Sequence, residues 1–208
     1  MGLSVVNANL TIPLSSVMAI ARAAFADGNY SQAAAEFRIC ADAGDREAMG
    51  TLGFMYLNGL GVQKNEEIAF GEISASAMMG DIESSKNLAI MYYDGVGIEK
   101  NLEIARNTFE YAADNGNVEA SFFLGSMCYV GEGGSVNLEQ SFSRWIFAAE
   151  RDHVNAMHMI GICFLRGNGV TADREIALRW FEKAHVLGCE GSMQYIEMIK
   201  SGYARGRR

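Results

Sequence analysis

The sequence predicts an all-α solenoid of repeated helix pairs, and three observations carry that reading. Glycines recur with a constant period: Gly59, Gly95, Gly131 and Gly167 stand 36 residues apart, as do Gly61, Gly97, Gly133 and Gly169. The register extends to Leu52, Leu88, Leu124 and Ile160, to Ile73, Phe109, Trp145 and Phe181, and to Ala41, Ala77, Ala113 and Ala149. It needs no insertion or deletion from about residue 29 to about residue 196. The composition agrees, because 23 Gly against 1 Pro in 208 residues suits many short helices ended by glycine and not a β-sandwich with Pro-rich turns.

Taken in order, residues 1–12 read as an N-terminal arm and residues 13–200 as a single repeat domain. Its first unit, 13–44, holds a helix from Pro13 to Ala26 and a second from Tyr30 to Ala43, joined by Asp27-Gly28-Asn29. Four units follow, at 45–80, 81–116, 117–152 and 153–188. In each, the first helix starts behind Asp45, Asp81, Asn117 or His153; Asp and Asn side-chain oxygens accept the unpaired N–H groups of a helix start. Glu47, Glu83 and Glu119 then lie in the first turn, where negative charge suits the helix dipole. An apolar stripe at helical spacing follows: Ala48, Thr51, Leu52, Met55 and Tyr56 in one copy, Ala120, Phe123, Leu124, Met127 and Cys128 in another. Gly59 and its equivalents end that helix.

The second helix of each unit starts at Asn65, Asn101, Asn137 or Asp173 and closes near Gly44, Gly80, Gly116 or Gly188, with Asp152 in place of glycine in the fourth copy. Gly53, Ala89, Gly125 and Gly161 sit in mid-helix, where glycine costs helix propensity, so a neighbouring helix is expected to approach closely there. Residues 189–200 read as a capping helix and 201–208 (SGYARGRR) as a flexible basic tail.

Charge and motifs exclude several function classes. With 17 basic and 25 acidic residues the chain carries −8, which argues against nucleic acid as the ligand. No apolar run approaches the 18 residues of a membrane span, the first residues lack the basic start of a secretory signal, and Val6 stands where myristoylation needs Ser or Thr. A cytoplasmic protein is the expectation. Cys40, Cys128, Cys163 and Cys189 form no CxxC pair and read as buried free thiols, and His153, His158 and His185 have no metal-ligand spacing. The GxG pairs follow helices and lack a third glycine, so they read as turns and not as phosphate cradles. No GxSxG, HExxH or GxxxxGK[ST] occurs, and no catalytic residue, cofactor or metal is expected.

The unit A-x3-L-G-x2-Y-x2-G-x-G-V, then N/D-x3-A-x3-F-x2-A-A-x2-G, resembles the Sel-one-like (Sel1-like) repeat, a relative of the tetratricopeptide repeats. Ala48–Gly80 carries it with Leu52-Gly53, Tyr56, Gly59-Leu60-Gly61-Val62 and Ala69. Asn155–Gly188 does so with Ile160-Gly161, Gly167-Asn168-Gly169-Val170, Ala177, Trp180-Phe181, Ala184 and Gly188. The first unit is more similar to an ordinary tetratricopeptide repeat, through Gly28, Tyr30, Ala33 and Phe37. The resemblance implies a right-handed α/α superhelix whose first helices line a concave surface and whose second helices lie outside. It further implies a non-enzymatic adaptor or scaffold that binds a protein or peptide; a monomer or weak homo-oligomer is the expectation. A cysteine-rich branch of the family, linked to β-lactam hydrolysis, has a Cys pair in each repeat; no repeat has one here.

By that resemblance, the face left after removing the core stripe points into the groove. It nominates Arg22, Phe54, Leu57, Lys86, Tyr93, Phe122, Tyr129, His158, Leu165 and Arg166 as protein-binding residues, since aromatic side chains are common interface anchors. The alternative for each is that it fills the seam between successive first helices. Glu66, Glu67, Glu72, Asp81 and Glu83 offer a second, acidic surface for a basic partner. An inhibitor or immunity protein that neutralises a toxin is the alternative function.

Overall fold

The structure, a computed structural model, describes residues 4–7 and 10–205, with side chains over 12–202. The arm is a short antiparallel hairpin of β1 (Ser4–Asn7) and β2 (Leu10–Pro13), with Val5 opposite Ile12 and Val6 opposite Thr11. The helix-based reading lacks it. β-Branched residues favour extended backbone, but four-residue runs are too short for an alternating pattern to stand out.

All other elements are helical. They are α1 (Leu14–Ala26), α2 (Tyr30–Asp42), α3 (Arg46–Asn58), α4 (Glu66–Met78), α5 (Ile82–Asp94), α6 (Leu102–Asp114), α7 (Val118–Val130), α8 (Leu138–Ala149), α9 (Val154–Arg166), α10 (Arg174–Val186) and α11 (Ser192–Arg205). They alternate as first and second helices of an α/α solenoid. Backbone packing groups the chain into two units, Met1–Thr108 and Phe109–Arg208, divided within α6. Helix α11 runs five residues into the segment expected as a tail, since nothing after Lys200 stops a helix and Gly202 costs only about 1 kcal/mol. Residues 206–208 of that expected tail lie outside the described residues.

The caps explain the element starts. Asp45, Asp81 and Asn117 accept the N–H of Ala48, Ser84 and Ala120 at 2.9, 2.7 and 2.8 Å, and His153 Nδ1 accepts that of Ala156 at 3.2 Å. Asn65, Asn101, Asn137 and Asp173 do the same for the second helices. The second glycine of each GxG pair has its own reason. A Cβ on Gly61 would stand 2.2 Å from the Tyr30 carbonyl, and one on Gly169 2.1 Å from that of Leu138. These two turns, and that of Gly97 against the Glu66 carbonyl, therefore rest on the start of the preceding repeat's second helix, and only glycine lets them.

In the first unit the core joins Val17, Met18, Ala21 and Ala24 of α1, Ala33, Phe37 and Cys40 of α2, and Ala48, Leu52 and Met55 of α3, with Ala69, Ile73 and Met91 continuing it. In the second, Trp145, Ala148, Met157, Ile160 and Cys163 form one cluster, and Ile162, Phe181, Ile196 and Ile199 another. The mid-helix glycines give the close approach the sequence implies. A Cβ would meet Ile73 at 2.6 Å from Gly53, Trp145 at 2.7 Å from Gly125 and Phe181 at 2.7 Å from Gly161.

Candidate functional site

In the first unit, the first helices α1, α3 and α5 enclose an open cleft of about 370 Å³. Phe25 of α1, Thr51 and Phe54 of α3 and Asn87 of α5 line it, with the carboxylates of Glu47, Asp81 and Glu83 at its edge and Gly50 and Ser84 at its floor. Phe54 is 41% exposed, unusual for a phenylalanine in a helix pair this well packed.

The cleft has a cause in the repeat register. The positions equivalent to Gly50 are Lys86, Phe122 and His158, three large side chains. All three are taken up in packing. At Gly50 a Cβ would lie 2.4 Å from Ser84 Oγ and 3.0 Å from Ser76 Oγ. Those hydroxyls bond each other at 2.8 Å, and Ser76 Oγ donates to the Arg46 carbonyl at 2.7 Å. The serine pair thus occupies the place where a side chain at position 50 would begin, and the space above it stays empty.

The nominated residues divide by what they touch. Arg22 and Glu47 form an exposed two-point ion pair at 2.8 and 2.5 Å beside the cleft. Phe54 lines the cleft, whereas Leu57 packs on the Ala69, Ile73 and Met91 cluster. Lys86 is buried, only 7% exposed, with Nζ 2.6 Å from Glu83 Oε1, so its ammonium does not stand in solvent as an exposed contact would. Tyr93 is half-buried, with Lys100 Nζ 5.2 Å from its ring centroid.

In the second unit the nominated aromatic residues are half-buried and make contacts within the solenoid. Phe122 stacks on His153 with centroids 4.4 Å apart, and its carbonyl accepts Trp145 Nε1–H at 3.2 Å. Tyr129 lies against Trp145 at 5.3 Å, and its hydroxyl accepts from Asn168 Nδ2 at 2.9 Å. His158 Nδ1 bonds Ser192 Oγ at 2.8 Å, and its ring meets the edges of Phe181 and Tyr195, both at 5.4 Å. Burial holds the His158 pKa below the usual histidine range. Leu165 packs on Ile162 and Phe181, while Arg166 is exposed.

Thr51, Ser84 and Asn87 are not among the sequence candidates because their positions fall on the core stripe. The available signal was the lone glycine in the column Gly50, Lys86, Phe122, His158.

Ser192, beside His158, is fully buried and its hydroxyl cannot reach a substrate. Burial pushes the Cys163 thiol up to about 11, far from a thiolate nucleophile at neutral pH. Among the described residues, no group of three or more His, Cys, Asp or Glu is placed to hold a metal, and no helix is long and apolar enough to cross a membrane.

The Sel1 repeat family matches the chain over residues 46–71, 82–117, 118–153 and 154–184, and the chain belongs to that family. Sel1 repeats are in general protein-interaction scaffolds. No curated protein matches the chain. Among solved structures, a Sel1 repeat protein from Oxalobacter formigenes is 26% identical with a TM-score of 0.81, over 86% of this chain and 74% of that one. The protein c5321, described as a protective antigen of uropathogenic Escherichia coli with an SLR fold, is 23% identical with a TM-score of 0.83, over 88% of this chain and 40% of its own. Immunity protein Pa5087 from Pseudomonas aeruginosa is 18% identical with a TM-score of 0.55, over 91% and 80%. At those identities the last two share the fold alone.

Proposed function

We propose that this chain is a non-enzymatic adaptor or scaffold that holds a protein or peptide on its first-helix face, with the Phe54 cleft as the anchor point. The observation that carries the reading is an aromatic side chain left 41% exposed in a cleft beside Gly50, where the register puts Lys86, Phe122 and His158 in the other repeats. Exposed aromatics in a recess are the usual anchors of interfaces. Arg22 beside the cleft belongs to the same surface, and Arg166 is one of several exposed cations of the second unit. The domain is read as residues 13–200, acting as a monomer or weak homo-oligomer. Four cysteines without disulfides suit a reducing compartment, which supports the cytoplasm as its place.

Affinity capture from native lysate tests the reading, comparing wild type with Phe54→Ser and with Met78→Ser on the outer second helix. A protein retained by wild type and Met78→Ser but lost by Phe54→Ser supports it. Equal retention by Phe54→Ser rejects the cleft.

An inhibitor or immunity role is the second reading, supported by the charge of −8 and by the fold it shares with the Pseudomonas aeruginosa immunity protein. On that reading the captured partner harms cells that express it without this chain.

A further inference from the structure

We infer that the cleft takes an apolar side chain, aromatic or branched aliphatic, flanked in the partner's chain by Lys or Arg. This rests on the interaction reading above and names the chemistry of the partner.

The apolar half of the inference follows from the walls. Phe25, Thr51 and Phe54 line a recess of about 370 Å³, a size at the lower end of ligand pockets. The recess persists because the serine pair blocks position 50, so no side chain of this chain fills it. An entering apolar group would cover Phe54, the one large apolar side chain of the cleft that is exposed.

The basic half follows from charge. Glu47 and Glu83 line the cleft with side chains 53% and 64% exposed, and Asp81, the cap of α5, lines it too. The neighbouring cations are already engaged: Arg22 by Glu47, the buried Lys86 by Glu83, and Arg46 by the Met79 carbonyl. The first unit as a whole has 7 basic against 13 acidic residues, a formal −6 of the chain's −8. The helix starts at Arg46 and Ile82 offset part of the local carboxylate charge within their first turn. Selection is therefore by the field of the whole unit on flanking residues, and not by one deep ion pair. Such a field speeds association of basic segments, repels acidic ones and weakens with salt. The Arg22–Glu47 pair is exposed, so exchanging Arg22 for a partner's cation costs little.

The test is fluorescence anisotropy on the full chain with three labelled nonapeptides. They are Gly-Ser-Lys-Arg-Trp-Lys-Arg-Ser-Gly, the same peptide with Glu at the four basic positions, and the basic peptide with Ala for Trp. The basic Trp peptide is expected to bind at least about tenfold more tightly than either control, a difference that one charge-assisted contact or one anchored aromatic supplies. Its affinity should fall with added salt and drop about tenfold in Phe54→Ser, with helix content unchanged by circular dichroism. Equal binding of the acidic peptide, equal binding of the Ala peptide, no binding of any peptide, or an unaltered affinity in Phe54→Ser each overturns the inference. The two readings fail separately. If the acidic Trp peptide binds better and Phe54→Ser abolishes it, the cleft stands as an interaction site and only the partner's charge is wrong. If the captured lysate partner ignores Phe54→Ser, the functional reading itself falls.

Discussion

Two glycines of one helix pair should respond to the same substitution with opposite signs. Gly71 lies on the exposed face of α4, and a Cβ there would meet nothing within 4 Å. Gly71→Ala therefore gains helix propensity alone and should stabilise by about 0.5–1 kcal/mol. Gly53 lies inside the pair, where a Cβ would stand 2.6 Å from Ile73 Cγ1, 3.1 Å from the Ile73 nitrogen and 3.2 Å from the Ala69 carbonyl. Carbon atoms pack best at about 3.5–4.0 Å, so α3 and α4 would have to part by roughly 1 Å. Two of those three neighbours are backbone and cannot turn aside. Overpacking of this kind costs about 1–3 kcal/mol, and at its middle it outweighs the propensity gain of about 1 kcal/mol. Gly53→Ala should thus destabilise by about 1 kcal/mol. The assay is urea unfolding of each variant followed by far-ultraviolet circular dichroism. Trp145 and Trp180 both belong to the second unit, so their fluorescence would not report this site. With a slope of about 1–1.5 kcal/mol per molar for a unit of this size, the midpoint should fall by about 0.7–1 M in Gly53→Ala and rise by about 0.5 M in Gly71→Ala. A rise in both would refute the close packing of α3 on α4.

Two further outcomes follow from the second unit. Ser141 Oγ is buried without a hydrogen-bond partner among the described residues, in a column otherwise occupied by Ala33, Ala69, Ala105 and Ala177; Ser141→Ala should raise stability by about 1 kcal/mol in the tryptophan-detected urea transition. His153 and His158 are both held below their ordinary pKa by burial, with Glu119 opposing the shift at His153. The unfolded chain therefore binds their protons first, so this stabilisation is complete above the unfolded pKa near 6.5 and falls as pH drops through it towards the depressed folded values. The midpoint of that transition should decrease from pH 7 to pH 5, and His158→Gln should flatten the decrease.

Much of the architecture was legible because it is written as a period. Asp45, Asp81 and Asn117 announce the first helices by the same chemistry that the structure uses, and Gly53, Gly125 and Gly161 announce the contacts with Ile73, Trp145 and Phe181. The hairpin was not legible, since it does not share the period. The candidate site was legible only as a face. Phe54 and Phe122 share that face, yet Phe54 is exposed while Phe122 stacks on His153 and receives the Trp145 indole at its carbonyl. The difference is made by neighbours in other helices. At position 50 a serine pair from α4 and α5 keeps the site open, and at Phe122 the residue itself closes it. A residue column records which side chain is present. It does not record whether the space in front of it is filled.

On the proposed function, the first-helix face around Phe54 meets the partner. Site-specific photo-crosslinking in living cells tests it most directly, with a benzophenone amino acid placed at position 54 in one strain and at position 78, on the exposed end of α4, in another. A discrete adduct is expected from position 54 and none from position 78. An adduct from position 78 with none from position 54 would contradict it and move the interface to the second helices.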